Sequence, residues 1–204
     1  MNELSKLLEQ LRAIDEAQLS CVAKWHDKEP ETLPEDFAGL VAEQSLQNFR
    51  LWHKEDIARI PDTGDDIIAG VKRDIDKLNQ RRNDLIEKLD EFLLIWLDRG
   101  GIKMNPEAAL NSETPGSMID RCSIMALKIY HMQEETMRDS ADEEHKTKAN
   151  ERLKTLKLQR SDMIDCLCNI FIEIEKGTRQ FKIYRQFKMY NDPDFNPQLY
   201  QKKG

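Results

Sequence analysis

Two arginines stand where a helical seam should be apolar. Ile68, Val71, Ile75, Leu78, Arg82, Leu85, Leu89, Phe92 and Trp96 alternate three and four apart, the spacing of a heptad seam. Leu153, Leu156, Arg160, Met163, Leu167, Ile170 and Ile174 repeat it. A guanidinium on a seam must be paired, because an uncompensated buried charge is strongly destabilising. Asp84 and Asp162 lie two residues along the same helices and point elsewhere. Asp120, on the stripe Asp120, Ile124, Leu127 and His131, is the better partner. Just before it, Ser112-Glu113-Thr114-Pro115-Gly116-Ser117 reads as a helix start, with Thr114 as N-cap and Pro115 at the first helical position. Free N–H groups, small residues and hydroxyls at such a start suit an anion. Two arginines beside it would hold a phosphate or carboxylate. The expected pocket therefore combines Arg82, Arg160, Asp120, Thr114, Gly116 and Ser117. The same residues also fit a buried Arg–Asp network that only fixes helix register.

A second set is His53 with Asp56 and His131 with Glu134, each three residues apart. Four ligands of these types can hold a metal if the two pairs meet. The alternative function is then a metal-dependent hydrolase or oxidase. The plainer reading is an imidazole satisfied by a neighbouring carboxylate. A third set is the polar stripe Asp76, Asn79, Asn83, Glu87 and Asp90. It gives either an asymmetric pocket around Asn79, Arg82, Asn83 and Asp84 or a solvated face. No nucleophile elbow, Walker loop, dinucleotide fingerprint or zinc knuckle is present, so no familiar motif calls for a cofactor.

These residues need helices to place them. Periodicity predicts a first helix over 3–28, a linker at Pro30 to Pro34, a helix from the N-cap Asp36 to about Ile60, and a turn at Pro61-Asp62-Thr63-Gly64. A long helix over 66–98 follows, ended by Gly100-Gly101, then a linker over 99–114 and a helix over 115–138. A second long helix completes the set. Shifted by 78 residues, Trp52-His53 falls on Tyr130-His131 and Arg82-x-Asp84 on Arg160-x-Asp162. Such self-similarity signals a duplicated unit. The expected fold is all-α: one domain over 1–204, with an N-terminal helix in 1–30, hairpins at 36–98 and 114–176, and a tail at 177–204. The hairpins would pair about a pseudo-twofold axis as a four-helix bundle, with the first helix and the tail outside it.

Composition narrows the partners. The chain has 204 residues, 34% of them charged and 7% aromatic, and a net charge of −7. An acidic body argues against nucleic-acid binding, although Phe181, Tyr184, Phe187 and Tyr190 interleave with Lys182, Arg185 and Lys188 in the tail. No apolar run reaches the roughly 20 residues of a membrane span. The start of the chain lacks the basic and apolar regions of a signal peptide, so the cytoplasm is the expected compartment. Cys21, Cys122, Cys166 and Cys168 then read as free thiols. The expected partners are a small anionic metabolite, and a protein partner or a second copy in a homodimer.

Two stretches carry a family resemblance. One is Leu51-Trp52-His53-Lys54-Glu55-Asp56-Ile57-Ala58-Arg59, with Leu78-Asn79-Gln80-Arg81-Arg82-Asn83-Asp84 downstream. The other is Asn111-Ser112-Glu113-Thr114-Pro115-Gly116-Ser117-Met118-Ile119-Asp120-Arg121, continuing through Leu127-Lys128-Ile129-Tyr130-His131. Over about 45–175 the chain resembles the bacterial domain of unknown function 4254 family. The resemblance implies no activity. It implies that such proteins are companions of glycosyltransferases in surface-polysaccharide pathways, where a nucleotide-sugar or phosphorylated sugar would be the ligand.

Overall fold

A computed structural model describes residues 2–185, 189 and 192–200. Five long helices make the fold: α1 (Glu3–Asp27), α2 (Phe37–Ala58), α3 (Asp65–Arg99), α4 (Pro115–Met137) and α5 (Glu143–Glu175). Two-residue strands β1 (Ala109–Leu110) and β2 (Arg179–Gln180) and a short helix α6 (Pro197–Tyr200) complete it. The chain is therefore an all-α bundle. Among the described residues no helix is long and apolar enough to cross a membrane.

Four of the five long helices start at a side-chain cap. Asn2 accepts from the Ser5 N–H at 2.8 Å, Asp36 from Gly39 at 2.9 Å, Thr114 from Ser117 at 3.2 Å and Asp142 from His145 at 2.8 Å. These caps satisfy N–H groups that the helix itself leaves free. α3 has no side-chain cap, but Asp65 and Asp66 in its first turn meet the positive end of the helix dipole.

The two expected hairpins form, α2 against α3 and α4 against α5, but α1 does not stay outside them. α4 sits at the centre, against α1, α2, α3 and α5. α1 touches α2, α4 and α5, whereas among the described residues the backbones of α3 and α5 do not approach closely. The reason is the continuous apolar face of α1, where Leu4, Leu7, Leu11, Ile14, Val22 and Trp25 are all buried. A face that long cannot stay on the outside of a bundle. Its first half joins Leu89, Leu93, Leu97, Ile119, Leu167, Phe171 and Ile174 in the larger core. Its second half joins Leu46, Phe49, Ala126 and Leu127 in a smaller one.

The linker before α4 is also tied down, which the sequence did not suggest. β1 pairs in parallel with β2. The Gln180 side chain donates to the carbonyls of Pro106 and Ala108, both at 2.7 Å. Phe181 then enters the larger core at 2% exposure, and Arg185 pairs with Glu87 and Glu91 on α3. The tail thus folds back as far as residue 185. Phe187, Lys188 and Tyr190 of the basic–aromatic reading lie outside the described residues.

Candidate functional site

Arg82 and Arg160 sit at one level on opposite sides of α4. Arg82 makes a fork with Asp120: Nε donates to Oδ1 at 2.7 Å and Nη2 to Oδ2 at 2.5 Å. Asp120 also accepts from Gln44 at 2.5 Å and Asn48 at 2.9 Å, and Asn48 reaches Ser123 at 2.5 Å. Gln44, Asn48, Asp120 and Ser123 are all buried, while the Arg82 side chain keeps 25% of its surface exposed. The fork to Asp120 holds the Arg82 guanidinium above its ordinary pKa against the opposing effect of burial.

Arg160 turns the other way, towards α1. Its Nε donates to Asp15 at 2.8 Å, its Nη2 to the Asp15 carbonyl at 2.8 Å, and its Nη1 to the Cys122 carbonyl and to Gln18. At 1% side-chain exposure it has no outlet to solvent. Burial pulls its pKa down, but an arginine stays charged. The two guanidinium groups therefore share no ligand-facing surface. The 78-residue correspondence does not extend to their partners, since the position matching Asp120 is Ala42.

The helix start at Thr114–Ser117 already holds an anion, supplied by α3. The Asp90 carboxylate accepts from the Gly116 N–H at 2.6 Å and is hydrogen-bonded by Thr114. Burial raises its pKa to about 6. Gly116 allows this approach: a Cβ there would lie 2.5 Å from the Ile86 carbonyl oxygen and 2.9 Å from the Asp90 carboxyl carbon. Asp90 was only one member of the polar stripe in the sequence. Nothing local marks a cap that comes from another helix.

Asn79 lies beside Arg82, with its Oδ1 3.5 Å from Nη1, a weak contact. Asn83 and Asp84 are half-buried on α3, and Gln80 donates to Asp84 at 3.2 Å. A groove of about 480 Å³ opens between α2, α3 and α4 over Asn79 and Arg82, walled by Asn48, Trp52, Asp56 and Arg59.

The histidines regroup. His53 and His131 do meet, but Asp56 and Glu134 do not join them as a ligand set. Asp56 is exposed and pairs weakly with Arg59 at 3.6 Å. Glu134 binds the back of His131, 2.8 Å from Nδ1. The third member is His26 at the end of α1: one ring nitrogen each from His26, His53 and His131 lies within 4.8 Å of the others. A signal for His26 existed. Trp25-His26 is a third aromatic–histidine pair beside Trp52-His53 and Tyr130-His131, outside the 78-residue register. Burial pushes the Cys122 thiol up to about 11 and raises that of Cys168, which favours the neutral form of both.

A family model described as a protein of unknown function (DUF4254) matches residues 38–183. No curated protein and no solved structure matches the chain. The matched span covers α2 to α5 and holds Arg82, Asp120, His53 and His131, while α1, with His26 and Asp15, precedes it. The chain belongs to the DUF4254 family.

Proposed function

We propose that this chain is a binding protein for a small anionic ligand, seated in the groove over Asn79 and Arg82. The observation that carries the reading is the Arg82 fork. A buried Arg–carboxylate network stabilises a fold less than apolar packing of the same volume would. This network has one opening, at Arg82, and that opening is the groove floor. Asp120, Gln44 and Asn48 fix the guanidinium from behind, so its Nη1 edge is presented with little freedom left to lose on binding. Asn79 adds an amide beside it. Among the described residues Arg59 at the rim is held by exposed pairs with Glu55 and Asp56, each worth about 0–1 kcal/mol, so it can swing onto a ligand. Trp52 offers an indole wall for a planar ring. Asp120 neutralises Arg82 in part, so recognition rests on hydrogen bonds as much as on charge. A phosphorylated metabolite with a ring, such as a nucleotide-sugar, fits these groups. A cytoplasmic accessory role in surface-polysaccharide synthesis would supply such a ligand.

A thermal-shift panel of inorganic phosphate, sugar phosphates, nucleoside diphosphates and nucleotide-sugars tests this. A ligand at 100 times its Kd adds about 2.7 kcal/mol. The expected result is a shift with one phosphorylated class, lost in Asn79→Ala and in Arg82→Lys, which keeps the charge but not the planar fork. A flat panel would leave the network with a register-fixing role and overturn the binding reading.

A further inference from the structure

We infer that His26, His53 and His131 form a binding site for one divalent transition-metal ion of the zinc class. Its ligands are distinct from the residues over the anion groove, although Trp52 borders both.

The argument starts from the backs of the rings. His26 Nδ1 lies 2.8 Å from the Val22 carbonyl and His53 Nδ1 lies 2.8 Å from the Phe49 carbonyl. A carbonyl oxygen only accepts, so both Nδ1 atoms carry the proton. His131 Nδ1 faces the Glu134 carboxylate at 2.8 Å, which fixes it in the same sense. All three imidazoles are thereby set with Nε2 as the free lone pair. This is how metal-ligating histidines are oriented: the far nitrogen donates to a carbonyl or carboxylate and the near one ligates.

The fronts of the rings converge. The three ring centroids are 5.1, 5.2 and 6.0 Å apart. The Nε2 atoms of His26 and His131 are buried and have no hydrogen-bond partner among the described residues. An unpaired buried acceptor carries a desolvation cost. The buried acceptors of His26 and His131 have no donor between them. A water molecule has two protons for three lone pairs, whereas one metal ion accepts all three. Zinc at about 2.0–2.1 Å from each nitrogen needs the nitrogens about 3.4 Å apart. The ring nitrogens, within 4.8 Å of one another, would have to draw together by up to about 1.4 Å to reach it.

The surroundings hold the rings and supply charge. Tyr130 stacks on His26 at 4.0 Å and Trp52 on His131 at 4.8 Å. Phe49 packs against His26 and His53. Glu134 lies behind His131. The C-terminal end of α1, where His26 sits, is the negative end of a helix dipole. A divalent cation would meet this negative field.

The donor set selects the metal. Three imidazoles without a thiolate suit zinc, copper, nickel or iron and do not suit calcium or magnesium. Three protein ligands leave a fourth position open, as in catalytic zinc sites. A groove of about 360 Å³ reaches His26 and His53 from solvent, lined by Trp25, Glu29, Phe49, Arg50, Lys54 and Ile57. The groove thus borders two of the three ligands.

The test is titration of untagged, chelator-stripped protein with Zn²⁺ by calorimetry and with Co²⁺ by visible absorption. The expected result is one ion per chain, with the intense visible bands of four-coordinate cobalt. His26→Gln and His53→Gln should each abolish stoichiometric binding. Glu134→Gln should weaken it by roughly 10–100-fold, as removal of an outer-shell partner does. His145→Ala removes the histidine on α5, which pairs with Glu135, and should leave binding unchanged. Circular dichroism checks that each variant folds. If the histidine variants do not fold, imidazole nitrogen chemical shifts of the natural protein with and without Zn²⁺ identify the ligating atoms. Sub-stoichiometric zinc, the weak bands of six-coordinate cobalt, or binding that survives in a folded His53→Gln protein would overturn the site.

Discussion

Asp90 shows how one side chain can close a site that its neighbours seem to open. The start of α4 has the hydroxyls, the small residue and the free N–H groups of an anion site, and α3 puts a carboxylate into it. That carboxylate is 2% exposed and its pKa is raised to about 6, with burial as the largest cause. The folded pKa lies above the unfolded one. The group's contribution to stability is therefore fully present below about pH 4 and is lost as pH rises through about 6. The span of about two units corresponds to roughly 3 kcal/mol. Asp90→Asn mimics the protonated form and removes this dependence. The measurement is urea stability of the two proteins from pH 4 to pH 7. The advantage of Asp90→Asn should grow between pH 4 and 6 and level off above. A difference that stays constant across this range would mean that the Gly116 and Thr114 hydrogen bonds already offset the burial.

At the scale of helices, the two seam arginines divide the work. Arg82 joins α3 to α4, and Arg160 joins α5 to both α1 and α4. Most of the Arg160 bonds end on the carbonyls of Ile14, Asp15 and Cys122 or on Gln18. The Asp15 carboxylate is 47% exposed and holds little of the energy. Arg160→Met should cost about 3–5 kcal/mol in chemical denaturation, since it strands Gln18 and these carbonyls. Asp15→Ala should cost about 1 kcal/mol or less. The opposite order would place the energy in the ion pair. This difference also marks what was legible in the sequence. The seam, the caps and the Arg82–Asp120 pairing could be read because each is local periodicity or a charge that breaks it. The Asp15 and Gln18 contacts could not, because these two residues lie 145 and 142 positions from Arg160, and the place of α1 in the bundle depends on tertiary packing. His26 was missed for the same reason, and so was the Asp90 cap, which crosses 26 residues of chain. A duplicated pattern also invites a symmetric answer, which placed α1 outside a bundle that it completes.

Across the whole molecule, α1 and α4 run through the two larger of three apolar clusters, the third being Leu51, Val71 and Ile75 between α2 and α3. The larger core takes Leu4, Leu7, Leu11 and Ile14 from α1, and Ile119 and Cys122 from α4. The smaller takes Val22 and Trp25 from α1, and Ala126 and Leu127 from α4. A helix melts together with whatever it packs on, so neither core can open without exposing the side chains of two shared helices. The chain should therefore unfold as one cooperative unit, although the backbones of α3 and α5 do not approach closely among the described residues. Leu11→Ala, at 0% exposure in the larger core, and Phe49→Ala, at 6% in the smaller, test this at the two ends. Each should cost about 2–5 kcal/mol, and each should move one and the same transition. Tryptophan fluorescence follows the ends separately, because Trp25 and Trp52 sit by the smaller core and Trp96 by the larger. In a Trp96→Phe background the fluorescence midpoint should still coincide with that of far-ultraviolet circular dichroism in both variants. If Phe49→Ala splits the midpoints, the end that carries the three histidines unfolds on its own. Zinc binding there would then stabilise that end alone, instead of the whole chain.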